Sequence, residues 1–177
     1  MNYAVFDTGQ SREVIELFRR VFTDSEGRDE GMLIGNLVSG LISTRGRDVA
    51  GFVATDQEKI VGCIFFSRLT VQDNTNAFIL SPVAVDTSYQ GQGTGQELIG
   101  FGIQHLKEQG VERVFTYGNP AFYGKVGFKP VSEECVSPPL ELTQPEGWLG
   151  QSLTGDKIMP IAGASRCVEA LNKQEYW

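Results

Sequence analysis

The sequence predicts a mixed α/β fold: a central sheet of mixed strand direction with helices on its faces. Three observations lead there. Apolar residues recur at helical spacing across 11–42, then at strand-like density from 49 to 85. A glycine-rich turn at 90–95 separates the last of those strands from a further helical pattern. Short strands and helices alternate after it, so the order reads β-α-α-β-β-β-α-β-α-β, with the first strand left open. That order is neither a repeating βαβ unit nor an all-β pattern.

Taken in turn, residues 11–22 set Val14, Ile15, Leu17, Phe18, Val21 and Phe22 at helical spacing, with Ser11 placed to cap the start. Residues 31–42 repeat the pattern with Leu33, Ile34, Leu37, Val38 and Leu41. The polar stretch Thr23–Glu30 between them reads as an exposed loop. Val49–Thr55 and Ile60–Leu69 are rich in β-branched and aromatic residues, and the polar run Asp56-Gln57-Glu58-Lys59 joins them as a hairpin. A third strand over Ala77–Val85 follows the polar run from Gln72 to Asn76. A helix then extends to about Gln109 and stops at Gly110, a suitable residue just past a helix end. Its apolar face is Leu98, Ile99, Ile103 and Leu106. Gly100 and Gly102 each cost about 1 kcal/mol relative to alanine in a helix interior, which close packing on a sheet would explain. Arg113–Tyr117 reads as a strand, Pro120–Lys125 as a short helix and Phe128–Val131 as a strand. From Ser132 on, Pro138-Pro139, Pro145 and Pro160 break the pattern. One strand near Leu153–Met159 is expected there, with Val168, Leu171 and Trp177 forming a last helical turn or a docking tail.

At 177 residues, the chain is expected to form a single domain. A net charge of −7 argues against nucleic acid as a partner, because such binding rests on clustered Lys and Arg. The same field mildly favours cationic partners. Cys63, Cys135 and Cys167 are widely spaced with no C-x-x-C, so neither a disulfide framework nor a metal site is expected. No stretch approaches the roughly 18 apolar residues of a membrane span, and the N-terminus lacks a leader pattern, so a cytoplasmic protein without membrane contact is expected.

The run Gln90-Gly91-Gln92-Gly93-Thr94-Gly95 joins the strand ending Val83-Ala84-Val85-Asp86 to a helix opening at Gln96. The first amides of a helix lack internal partners and carry the positive end of its dipole, so bare backbone there suits a phosphate. No Lys-Ser/Thr pair follows as in a P-loop, and the spacing is not G-x-G-x-x-G, so a nucleotide-binding protein is disfavoured. From these residues alone, a phosphate cradle and a plain turn with helix-packing glycines both stand.

Taken together with Asn119-Pro120-Ala121-Phe122-Tyr123-Gly124-Lys125-Val126-Gly127-Phe128, the run resembles the GCN5-related N-acetyltransferases, and most of all their small bacterial branch. Gln90, Gly93 and Gly95 match that family's Q/R-x-x-G-x-G/A loop, while Phe122-Tyr123 and Gly127-Phe128 match its second signature. The resemblance implies a twisted mixed sheet of about 6–7 strands with helices on both faces and a V-shaped splay between the fourth and fifth strands. It implies a core over 1–131 and an acceptor-side or docking segment over 132–177.

It further implies acetyl-CoA as cosubstrate. The pantetheine arm would pair with main-chain groups around Val83, Ala84 and Val85 in the manner of an added strand. The pyrophosphate would receive amides from Gly91, Gln92, Gly93, Thr94, Gly95 and Gln96, next to Gln90. Asn119 matches a position that bonds pantetheine, or simply shapes the turn before Pro120. Tyr123 matches the general acid that protonates the departing CoA thiolate, with a core or CoA-packing tyrosine as the alternative. A phenol with a pKa near 10 can give up that proton and recover it from solvent. Relatives carry a base on the strand before the loop, but Ile79 and Ser81 hold those positions here and neither is competent. Asp24, Glu26, Asp29 and Glu30 suit a cationic amine or merely solvate a loop. His105 is read as a surface or helix-end residue, the thiols as bystanders. Trp148 and Trp177 would line the acceptor side or a homodimer interface. The expected activity is transfer of acetyl from acetyl-CoA to a primary amine, on a small molecule or peptide, within a ternary complex. The alternative is a non-catalytic acyl-CoA-binding module.

Overall fold

A computed structural model of the chain describes residues 1–155 and 157–177. The described residues form one seven-stranded sheet and four α-helices. In chain order the elements are β1 (Asn2–Val5), α1 (Ser11–Glu26), α2 (Arg28–Ser43), β2 (Val49–Asp56), β3 (Lys59–Leu69), β4 (Ala77–Val85), α3 (Thr94–Glu108), β5 (Arg113–Tyr117), α4 (Pro120–Tyr123), β6 (Lys129–Pro130) and β7 (Trp148–Ser152). The sheet order is β1-β2-β3-β4-β5-β7-β6. β4 and β5 run parallel, whereas β1 with β2, β5 with β7 and β6 with β7 run antiparallel, so the sheet is mixed as expected.

Two compact units divide the chain: residues 1–66 with 82–103, and residues 67–81 with 104–177. In the first unit, neighbouring residues of the strands point to opposite faces, and each face carries helices. On one side Phe65 meets Phe18 of α1 at 6.1 Å between ring centroids, above Val14, Leu17, Leu37 and Leu41, all buried. On the other, Phe52 meets Phe66 at 5.9 Å and Phe101 of α3 at 5.8 Å. Residues 57 and 58 turn the β2–β3 hairpin with φ values of 47° and 68°, the left-handed pair of a tight two-residue turn.

The two glycines of α3 differ. A Cβ on Gly102 would stand 2.7 Å from Phe66 Cε2, so this glycine lets the helix settle on the sheet as expected. Gly100 is exposed, and nothing lies within 4 Å of its missing Cβ. Gly100→Ala is therefore expected to raise stability by up to about 1 kcal/mol, whereas Gly102→Ala lowers it; urea melts of both variants check the pair.

Residues 23–30 correct the expectation of a loop. α1 continues to Glu26 and α2 begins at Arg28, with Gly27 (φ 98°) as the break. The polar residues that hid this helix are the exposed last turn of α1 and the first turn of α2, where Asp29 and Glu30 face the positive end of the dipole. The helices pack tightly here, since a Cβ on Gly31 would fall 2.0 Å from Thr23 Oγ1. Ser11 does not cap α1; Asp7 caps the short 3-10 turn ahead of it instead, accepting from the Gly9 amide at 2.8 Å.

In the second unit, β4 and β5 pair from Ala77–Arg113 to Leu80–Thr116. The tail packs on these strands. Trp148 lies fully buried and stacked on Phe115 at 5.3 Å, and its indole N–H donates to the Val136 carbonyl. Trp177 stacks on Tyr117 at 6.0 Å and is buried too. Both tryptophans are thus core residues of this unit, which corrects the expectation that they line an acceptor site or a dimer interface. The tail strand also falls elsewhere than expected. Of 153–159, residue 156 lies outside the described residues and the others form no strand, while Trp148–Ser152 does.

Candidate active site

β4 continues through Ser81 to Val85 past its last pair with β5, the geometry of a splay. Along this extension Pro82 and Ala84 are buried while Ser81, Val83 and Val85 are half-buried, as alternation dictates. The glycine turn follows. Gly91 and Gly93 have φ values of 72° and 87°, which only glycine adopts without strain, and nothing lies within 4 Å of a Cβ at either. The turn therefore presents open backbone. The helical bond from Glu97 N to Gly93 O leaves the amides of Thr94, Gly95 and Gln96 ahead of the hydrogen bonds of α3. Gln90, Gly91 and Gln92 are exposed, Gly93 and Gln96 half-buried, and Thr94 and Gly95 buried. Open backbone at Gly91 and Gly93 and the positive end of the α3 dipole suit an anion.

The turn is pinned on several sides within its unit. The buried carboxylate of Asp86 accepts from Ser88 Oγ at 2.6 Å and from the Ser88 amide at 3.1 Å. It also pairs with Arg20 at 2.7 Å and Lys59 at 3.3 Å. The Ser88 bonds chiefly, with Lys59 beside them, hold its pKa well below the usual carboxylate range. Thr87 donates to Asp24 at 3.2 Å and Tyr89 to Asp56 at 2.9 Å. Gln90 reaches back to the Val85 carbonyl at 2.9 Å, and Gln92 to the Ser88 carbonyl.

The second unit holds Asn119 and Tyr123. Asn119 caps α4, its side-chain oxygen accepting from the Ala121 amide at 2.8 Å, so the turn-shaping role is realised. Tyr123 packs edge-on against Phe122 (5.0 Å) and Phe128 (5.8 Å). A Cβ on Gly118 would stand 2.6 Å from its Cε2. The residue is partly exposed, yet its hydroxyl end is desolvated, and this burial pushes the phenol up to about 12, with a Thr116 hydrogen bond opposing the rise.

The other candidates stay apart from such chemistry. Ile79 is fully buried and Ser81 half-buried. His105 lies near the end of α3, 2.9 Å from the Gln109 side chain. Cys63 is buried, which pushes its thiol well above the ordinary value, and Cys135 and Cys167 are free and half-buried. Among the described residues, no group of three or more His, Cys, Asp or Glu could hold a metal ion, and no helix is long and apolar enough to cross a membrane.

The family model for an acetyltransferase (GNAT) domain matches residues 47–130. Over 174 residues the chain is 31% identical to the uncharacterized N-acetyltransferase YjhQ of Escherichia coli (strain K12), covering 94% of this chain and 92% of that one. The chain belongs to the GNAT acetyltransferase family. A crystal structure of the GNAT family N-acetyltransferase YhbS from Escherichia coli in complex with CoA matches with a TM-score of 0.81 at 27% identity, covering 98% of this chain and 92% of that one. A GNAT acetyltransferase from Brucella melitensis in complex with acetyl-CoA matches with a TM-score of 0.72 over 97% of both chains. At 19% identity that second likeness speaks to the fold alone.

Within this GNAT chain, three supporting residues escaped the sequence reading. Asp86 was visible only as the end of a strand motif, and its partners Arg20 and Lys59 lie 66 and 27 positions away. Gly118 precedes Asn119 and matters because a ring lies over it. Thr116 is a buried hydroxyl on β5, a position where an apolar residue would be expected.

Proposed function

We propose that this GNAT protein is an N-acyltransferase moving acetyl from acetyl-CoA to a primary amine by direct attack in a ternary complex, with residues 1–177 acting as one acetyltransferase domain. The observation that carries this reading is the open, pinned glycine turn at the end of β4, in a family whose relative YhbS has been crystallised with CoA. Gly91–Gln96 would receive the pyrophosphate, Gln90 would brace the turn, and the main chain of Val83, Ala84 and Val85 would pair with the pantetheine. With its side chain capping α4, Asn119 would offer the pantetheine its remaining polar groups.

The chemistry follows from these placements. An amine that has shed its proton attacks the thioester carbonyl, and the tetrahedral intermediate collapses as the carbon–sulfur bond breaks. Tyr123, kept neutral at physiological pH, protonates the sulfur and recovers its proton from water. No side chain on β4 serves as base, so an amine arriving neutral or a water route past Ser81 completes the scheme. The exposed carboxylates Asp24, Glu26 and Asp29 at the α1–α2 junction favour a cationic acceptor.

The absence of a basic side chain at Ile79 and Ser81 favours one second reading, an acyl-CoA-binding module without turnover. Thermal-shift titration with acetyl-CoA, CoA and ATP tests the shared claim. At a hundred times Kd, a ligand of the folded state adds about 2.7 kcal/mol, which is roughly 5–10 °C in Tm for a chain of this size. A shift with both CoA compounds and none with ATP is expected; no shift with either CoA compound sinks both readings. Thiol release across polyamines, aminoglycosides, amino acids and peptide N-termini then separates enzyme from binder.

A further inference from the structure

The corner between β5 and α4 is made of bare backbone. Gly118 donates its amide to the Gly147 carbonyl at 3.0 Å, and a Cβ on Gly147 would stand 3.0 Å from the Gly118 carbonyl oxygen. The two backbones pack directly on each other, so Gly118 has little room to retreat toward Gly147. The ring of Tyr123 lies against the same residue. A Cβ on Gly118 would stand 2.6 Å from Cε2, 3.4 Å from Cδ2 and 3.6 Å from Cζ, and these are its three nearest atoms. Gly118 is not among the glycines with positive φ, so space alone requires glycine here. Tyr123 is held at its backbone too. Its amide donates to the Asn119 carbonyl at 3.1 Å, and its own carbonyl accepts from the Phe128 amide at 3.2 Å. Phe122 and Phe128 stand edge-on to the ring.

We infer that Gly118 is the positioning residue for Tyr123: its missing side chain sets where the phenol hydroxyl stands. The inference rests on Tyr123 serving as the general acid of acetyl transfer. In that step the carbon–sulfur bond breaks and the Tyr123 O–H proton passes to the departing sulfur, forming S–H. The proton shed by the attacking amine goes to solvent, and water restores the phenol. Such a transfer needs donor and acceptor within about 2.6–3.2 Å. Carbon atoms in contact settle at about 3.5–4.0 Å, so a methyl on Gly118 must push the near edge of the ring by roughly 1 Å. The edge it meets is Cε2, the neighbour of the carbon that bears the hydroxyl, so the hydroxyl moves with it. With both backbones held by hydrogen bonds, the ring is the part left to swing. A misplacement of about 1 Å can cost about a hundredfold in rate. The glycine turn at 91–96 is untouched by the change.

The test uses Gly118→Ala in the full chain, on an acceptor found by thiol release. This variant is expected to lower kcat about ten- to a hundredfold at unchanged acetyl-CoA KM. In a Tyr123→Phe background the hydroxyl is already gone, so the same substitution is expected to change kcat by less than about twofold, the non-additivity of two residues acting as one unit. Melting curves supply a readout that needs no acceptor. Gly118→Ala is expected to lower Tm by roughly 2–10 °C, the cost of overpacking, and to have little effect in a Tyr123→Ala background, where the ring is absent. If Gly118→Ala does not fold, recovery of the fold in the Tyr123→Ala background supports the inference, and failure in both backgrounds overturns it. Wild-type kcat in Gly118→Ala overturns it too, as does an equal kcat loss with and without the Tyr123 hydroxyl, or an equal Tm loss with and without the ring. The general-acid reading fails separately, if Tyr123→Phe keeps full turnover.

Discussion

Tyr123→Phe is expected to lower kcat by about a hundredfold or more, the usual contribution of a positioned general acid, while leaving the acetyl-CoA KM near its original value. The ring keeps its contacts with Phe122, Phe128 and Gly118, because only the hydroxyl is removed. Removing the single hydroxyl changes stability by about 1 kcal/mol at most, so Tm moves by only a few degrees. Equal losses in kcat and kcat/KM are the signature of an interaction made in the transition state. The pH profile adds a second check. Because burial holds the phenol at about 12, Tyr123 stays protonated throughout the neutral range and sets no alkaline limb below roughly pH 11. A limb near pH 9 belongs to another group, such as the acceptor amine. Wild-type-like turnover in Tyr123→Phe would leave the ring as a packing residue only.

Asp86→Asn is expected to cost about 2 kcal/mol of stability, from lost charge-assisted bonds to Ser88, Arg20 and Lys59. Arg20 and Lys59 are about half exposed, so water screens much of their attraction and the Ser88 bonds carry most of the loss. The sign with pH follows from the depressed carboxylate. Its contribution is full above the unfolded value near 4 and is lost as pH falls through the lower folded value. The gap between wild type and Asp86→Asn should therefore be largest at pH 7 and shrink under acid, as urea melts at pH 7 and pH 3 would show. Since Asp86 anchors the turn that leads to Gly91, the acetyl-CoA KM should rise several-fold while kcat at saturation stays near wild type. An equal gap at both pH values would mean that the carboxylate's charge is not what matters.

How much of this was legible depended on how local the cause was. β4 and β5 could be read to the residue because both are largely apolar or β-branched runs bounded by polar residues. The helical ends around Gly27 could not, because apolar periodicity reports only turns that face a core, and Thr23–Glu26 projects beyond it. β7 was misplaced because Trp148–Ser152 and the following 153–159 each mix a glycine with polar and apolar residues, so the local pattern does not choose between them. Its pairing with β5 from Arg113 to Tyr117 decides the matter, and that is a long-range fact. At the site, the glycine turn and Tyr123 carried local signatures. Their supports did not: a glycine before Asn119 is unremarkable until a ring lies over it, and Asp86 needs cations from α1 and β3 to become an anchor.

The division of the chain also sets a calendar for its synthesis. The first unit is interrupted by residues 67–81 and completed at Ile103, whereas the second unit waits for residues up to Trp177. A ribosome therefore delivers the glycine turn, Asp86 and all of their anchors before it has made β5, Tyr123 or β7. Elements folding in order of emergence would build the proposed donor site first and the proposed acid last. A premature stop after Gly147 would spare every residue of the turn and of α4, yet strip β5 and β6 of the strand that lies between them. Nonsense mutations late in this gene would thus yield chains whose proposed binding residues are intact and whose proposed catalytic residue has lost its scaffold.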